Sequence, residues 1–190
     1  HSTTLAPGSV TSATGGDGLA AGGSVLVHSY QGDTTLAKGA TLDISGGAIG
    51  GDAGTAEVSA HNRLRVQGDL RGDAAPGYAH GSVLFDPANI NIYRGAPDDA
   101  QAGDGTINGP DGGGVTWGIS PDAIENFVGD VRLEATNDIV ILHTISKGNG
   151  GLTLRAGRDI RFAGAGPAPA DPALSITVAE RWIVRPSVNG

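Results

Sequence analysis

The chain has no cysteine, which removes disulfides, thiol nucleophiles and cysteine metal sites from consideration. The absence also suits a chain that must stay unfolded during export. Aromatic residues make up only 4% of the sequence, so any core must be filled by aliphatic and small side chains. Positive charge is scarce: 12 Lys and Arg against 20 Asp and Glu give a net charge of −8 and a pI near 4.9. That balance argues against a nucleic-acid partner, which needs a basic footprint, and against attachment to anionic lipid. No stretch approaches the ~20 apolar residues of a membrane span, so no membrane insertion is expected. The opening HSTTLAPGSV has no basic stretch followed by an apolar run, so it does not read as a signal peptide. A removed leader, or a piece of something longer, fits that start.

Glycine, by contrast, is abundant. Its 33 residues follow no G-X-Y period, which excludes a collagen-like helix and points to many tight turns between short strands. Val, Ile and Leu recur in alternating runs, a pattern that disorder does not produce. The length of 190 residues suits one domain.

A repeat organises these runs. DVRLEATNDIVIL (130–142) and GLTLRAGRDIRFA (151–163) are the same β pattern displaced by twenty-one positions. Leu133 maps to Leu154, Ala135 to Ala156, Asp138 to Asp159, Ile139 to Ile160 and Ile141 to Phe162. The template also matches VSAHNRLRV at 58–66, through Val58, Ala60, Arg63, Leu64 and Val66. LFDPANINI at 84–92 fits through Leu84, Asp86, Asn89, Ile90 and Ile92, and LAKGATLDI at 36–44 more loosely through Leu36, Leu42 and Ile44. SVLVHS (24–29) and LSITVAERWIV (174–184) read as the first and last strands.

A period of about 21 residues with short alternating strands predicts an all-β fold, a parallel β-helix whose turns stack at the interstrand spacing. About eight rungs would make a rod roughly 40 Å long. Ala60, Ala135 and Ala156 are placed where the coil bends and space is tight. Helices fit poorly, because the runs are short and glycine-broken. A leucine-rich repeat lacks its Asn/Cys ladder here; an ordinary β-sandwich is the remaining alternative. Residues 1–19 are read as an N-terminal extension or first-rung cap, 20–185 as a single β-helix domain, and 186–190 as a tail. Two excursions interrupt the domain, at 94–128 and 164–173. SPDAIENFV in the first predicts a short helix, with Ser120 as cap, Pro121 at the first position and Asp122 near the N-terminus. Ile124 and Phe127 would then pack over an open face.

Taken in order, GGDAGTAEVSAHNRLRVQGDL, GSVLFDPANINI, DVRLEATNDIVIL, LTLRAGRDIRF and ERWIV resemble the repeat region of filamentous-haemagglutinin-type exoproteins. These are large bacterial adhesins of the two-partner secretion class. The resemblance covers roughly residues 20–185 and implies a right-handed parallel β-helix. It also implies export through an outer-membrane transporter of the two-partner type, and secretion or display at the bacterial cell surface. The chain departs from the family in lacking the Asn-Pro-rich motifs of its secretion domain, and in carrying Glu180 where glycine is common.

The functional expectation is therefore a structural and adhesive segment, a rod or fibre for attachment to cells, surfaces or matrix, with no enzymatic activity and no cofactor. Its partners would be host-cell or matrix glycans or proteins, with end-to-end self-association if rungs are left uncapped. One alternative is a carbohydrate-binding module on the 94–128 excursion. There Trp117 and Tyr93 could stack on a sugar ring. Another is a β-helix lyase or glycosidase, which needs facing carboxylates or an acidic cation cluster. Asp98, Asp99 and Asp104, and the pair Asp138 and Asp159, are the acidic candidates. For the pair, bonding of turn backbone is the simpler reading. His1, His28, His61, His80 and His143 have no i+2 or i+4 partner and do not form a zinc signature. Arg71-Gly72-Asp73 spells an integrin-binding tripeptide but reads as a turn.

Overall fold

The computed structural model describes residues 1–62, 64–92, 117–119, 121–162, 176–178 and 182–186. Alternation of apolar and polar residues every second position drives short strands, because successive side chains of an extended chain point to opposite faces. The chain opens with β1 (Thr3–Leu5) and β2 (Val10–Ser12). Two sets of three follow: β3 (Ser24–Ser29), β4 (Thr34–Leu36) and β5 (Thr41–Asp43), then β6 (Thr55–Ala60), β7 (Leu64–Val66) and β8 (Asp69–Arg71). The next elements are β9 (Gly81–Asp86), β10 (Ile90–Ile92), β11 (Trp117–Ile119) and the helix α1 (Pro121–Glu125). Then come β12 (Gly129–Ala135), β13 (Ile139–Ile141) and β14 (Ile145–Lys147). The last are β15 (Leu152–Ala156), β16 (Ile160–Phe162), β17 (Ile176–Val178) and β18 (Trp182–Pro186).

The fold is mostly β and its sheets are parallel. Every registered strand pair among the described residues is parallel, so the sandwich alternative with antiparallel neighbours is excluded. A six-stranded sheet runs β18-β15-β12-β9-β6-β3, and a seven-stranded sheet runs β1-β4-β7-β11-β10-β13-β16. A three-stranded sheet, β2-β5-β8, and a two-stranded one, β14-β17, complete the set. Consecutive strands therefore fall in different sheets, except β10 and β11, which pair side by side in the seven-stranded sheet. Six strands in one sheet span about 24 Å at the usual interstrand spacing, shorter than the rod expected from eight rungs.

The twenty-one-residue step holds where the sequence displays it most clearly: Leu133 pairs with Leu154, Ala135 with Ala156, Ile139 with Ile160 and Ile141 with Phe162. Elsewhere the step is longer, with Val27 opposite Val58, Val58 opposite Phe85, and Leu152 opposite Trp182. The glycine-rich connections take up the difference. The stretch 36–44 is also placed differently from the sequence alignment. Leu36 lies opposite Val66, and Leu42 opposite Leu70, so the segment carries the second and third strands of its repeat. Nor is 24–29 the first strand, since β1 and β2 precede it and pair with β4 and β5.

A further correction concerns 84–92. Phe85, not Leu84, is the partner of Val58 and of Leu133. The bend between β9 and β10 is one residue shorter than that between β12 and β13, since Phe85 and Ile90 pair with Leu133 and Ile139. Because the side-chain period is two, this single residue inverts which side chains of β9 face the core. Val83 and Phe85 are buried and Leu84 is half-buried.

The interior is built from ladders of like residues. Val27, Val58, Phe85, Leu133 and Leu154 form one; Leu36, Val66, Ile119, Ile92 and Ile141 form another. All are buried, and each such side chain contributes about 1.5–3 kcal/mol on leaving water. Ala60, Ala135 and Ala156 are buried at strand ends, as the sequence predicts for a crowded bend. At the bend after β15 a Cβ on Gly157 would lie 1.9 Å from the Thr136 carbonyl oxygen, so the backbones of successive repeats touch there.

The 94–128 excursion returns as β11, which inserts between β7 and β10 although it follows β10 in the chain. The helix then forms where the sequence places it, with Pro121 first, Asp122 in its first turn, and Ile124 and Phe127 buried. Ser120 lies outside the described residues, as does the whole excursion 164–173. α1 packs against β14. From β14, Lys147, only 1% exposed, donates from Nζ to the carbonyls of Ile124 at 3.2 Å and Phe127 at 2.6 Å. Carbonyls at a helix C-terminus lack partners within the helix, and a cation supplies them. The Phe127 ring fills the space beside Gly72, where a Cβ would meet it at 2.8 Å.

Candidate functional site

Trp117 is the first residue of β11, its backbone paired with Ile90. Tyr93 lies outside the described residues, as do Asp98, Asp99 and Asp104. Arg71-Gly72-Asp73 is the end of β8 and the turn after it. Gly72 is buried, and the Asp73 amide donates to Ser45 Oγ at 3.2 Å. The tripeptide is thus tied into neighbouring backbone, in keeping with its reading as a turn.

Asp138 sits at the bend between β12 and β13 and gathers two cations from the next repeat. Arg158 donates to it from Nε at 3.1 Å and Nη2 at 2.7 Å, and Arg161 from Nη2 at 2.7 Å. The Asp159 amide adds a bond to Oδ1 at 3.3 Å. This carboxylate therefore fastens one bend to the next. Its oxygens are occupied by guanidinium and backbone donors, which leaves it ill suited to proton transfer.

The outer face of the six-stranded sheet holds a cluster of titratable groups among the described residues. Parallel register stacks His28 on Ser59 and Ser59 on Asp86, with Glu134 on the next strand stacked on Arg155. Glu57 is two residues from Ser59 on the same face. Ser59 Oγ donates to Glu57 Oε1 at 3.0 Å and lies 2.8 Å from His28 Nδ1. A hydroxyl has one proton, and an ionised carboxylate only accepts. With Ser59 donating to Glu57, the hydroxyl has no proton left for His28, and the contact to Nδ1 is then satisfied by the tautomer that carries its proton there. That is the reverse of an activated serine, in which the imidazole accepts from the hydroxyl. The His28 ring packs on Tyr30, with centroids 4.2 Å apart, and the Tyr30 side chain is exposed.

Further along the face, Glu134 pairs with Arg132 on its own strand and approaches Arg155 at 4.0 Å. Asp86 has no hydrogen-bond or ion-pair partner among the described residues. Asp86 is exposed at the strand end; its carboxyl is nonetheless pushed above the ordinary aspartate value of 3.8, by partial desolvation against the sheet first and then by the negative charges of Glu134 and Glu57, with His28 opposing. Sequence reasoning missed this group for a definite reason. Aligning Asp86 with Ala135 puts it at a bend, whereas the true register sets it beside Glu134. The signal was present in GSVLFD, where Val83 and Phe85 alternate as the inward pair.

Among the described residues no group of three or more His, Cys, Asp or Glu side chains is placed to hold a metal ion. No helix among them is long and apolar enough to cross a membrane. No family model matches the chain, and no curated protein or solved structure matches it significantly.

Proposed function

We propose that the chain is a stretch of right-handed parallel β-helix, from a secreted or surface-displayed bacterial exoprotein of the filamentous-haemagglutinin type. Its work in this reading is structural and adhesive. The observation that supports it is the strand order: apart from β10 and β11, successive strands fall in different sheets, and all registered pairs among the described residues are parallel. Coiling is the simplest path that satisfies such pairing, because parallel neighbours cannot be joined by tight hairpins. A coil of this kind presents long faces and few loops, which suits a spacer or contact surface rather than a pocket.

The resemblance supplies the rest: export through an outer-membrane transporter of the two-partner type, and attachment to glycans or proteins of a host cell or matrix. Exposed apolar side chains support a contact role. Leu19 and Tyr78, both exposed, flank Gly50 at one corner. Catalysis is not proposed. Ser59 donates its hydroxyl to Glu57 rather than to His28, and Asp138 is occupied by two arginines.

Beads coated with the purified chain test the adhesive reading. Retention on cultured cells or matrix well above uncoated beads supports it. Retention equal to the uncoated control, or release of unsaturated or reducing sugar from polysaccharide, overturns it. Electron microscopy of the same preparation distinguishes single rods from end-to-end fibres. On a glycan array, Trp117→Ala is expected to lose binding if the 94–128 excursion is a sugar site; unchanged binding removes that alternative.

A further inference from the structure

We propose that Asp86 is a proton-binding site whose own contribution to the stability of the six-stranded sheet is greater in acid than at neutral pH. Parallel, in-register strands put outward residues at the same level directly above one another, at the interstrand spacing of about 4.8 Å. Like charges so placed repel. Asp86 on β9 lies between Ser59 on β6 and the level of Glu134 on β12, with Glu57 of β6 diagonal to it.

The charged and titratable groups facing Asp86 come from four strands. β6 gives Glu57, β12 gives Glu134 and Arg132, β3 gives His28 beyond Ser59, and β15 gives Arg155 beyond Glu134. The three carboxylates are not equivalent. Glu134 has cationic partners in Arg132 and Arg155. Glu57 accepts the hydroxyl of Ser59. Asp86 alone of the three has no donor among the described residues, so it is the one that takes up a proton when the cluster is relieved. Exposed but partly desolvated against the sheet, its carboxyl is displaced upward by that desolvation and by these two neighbours.

The direction of the linkage follows. A carboxyl whose folded value lies above its unfolded value binds more protons folded than unfolded between the two values. Stability then rises as pH falls through that window and is lost as pH climbs back through it. This is opposite to the usual behaviour of salt-bridged carboxylates, whose protonation weakens the fold.

The test is urea unfolding of the full chain and of Asp86→Asn, at about pH 7.5 and about pH 4. Asparagine has the shape of aspartate without the charge. The variant should have a higher urea midpoint than wild type at the neutral pH, and the difference should shrink at the acid pH. A difference between the two proteins that is the same at both pH values overturns the proposal, as does a variant weaker at neutral pH. Should Asp86→Asn fail to fold, a carbon-detected NMR titration of Asp86 in the wild-type chain decides. A midpoint above 3.8 sustains the proposal and one at or below it refutes it.

Discussion

Substituting Phe85 and Leu84 separately by alanine tests the register on which the account of β9 depends. The two residues are adjacent and both apolar, and a one-residue slip exchanges their roles. Phe85 has no exposed surface and is flanked on its ladder by Val58 and Leu133. Removing its ring loses the transfer free energy of the aromatic carbons and leaves a cavity between two neighbours held by their own strands. Losses of about 3–5 kcal/mol are usual for such a truncation. Leu84 points outward between Glu57 and Arg132 and is only half-buried, so Leu84→Ala should cost about 1 kcal/mol or less. With a urea dependence of about 2 kcal/mol per molar, Phe85→Ala lowers the midpoint by about 1.5–2.5 M and Leu84→Ala by under about 0.5 M. Equal shifts, or a larger one for Leu84→Ala, would refute the register and with it the placement of Asp86 beside Glu134.

Two further substitutions probe the joints between repeats. Asp138→Ala removes the partner of Arg158 and Arg161, both well exposed. Solvent screening limits the loss to about 1 kcal/mol, and the wild-type advantage should shrink in high salt; a salt-independent loss would argue against the ion-pair account. Lys147→Met keeps the length of the stem but withdraws the donor from the carbonyls of Ile124 and Phe127. A loss of about 1–3 kcal/mol is expected, with protease cleavage appearing first near α1. Unchanged stability and cleavage would show that the lysine does not hold the helix.

The residues themselves determined a good deal. Alternating aliphatic runs broken by glycine specify short strands wherever they occur, since extended backbone sends every second side chain inward. The twenty-one-residue echo between 130–142 and 151–163 correctly pairs Leu133 with Leu154 and Ile139 with Ile160. There the two connections have equal length, so sequence offset and spatial register coincide. The helix at Pro121 was legible for a local reason as well: proline and an acidic side chain suit a first helical turn.

What tertiary structure decided lies where the connections differ in length. The shortened bend after β9 puts Phe85 inside and Asp86 beside Glu134, and nothing in the local residues forces that bend to lose one position. The insertion of β11 between β7 and β10, against chain order, is likewise a matter of which edge is open when the chain returns. Short-range preference selects strand or helix residue by residue. Which strand lies above which is selected by the fit of whole ladders, and the charged column on the outer face inherits its membership from that fit.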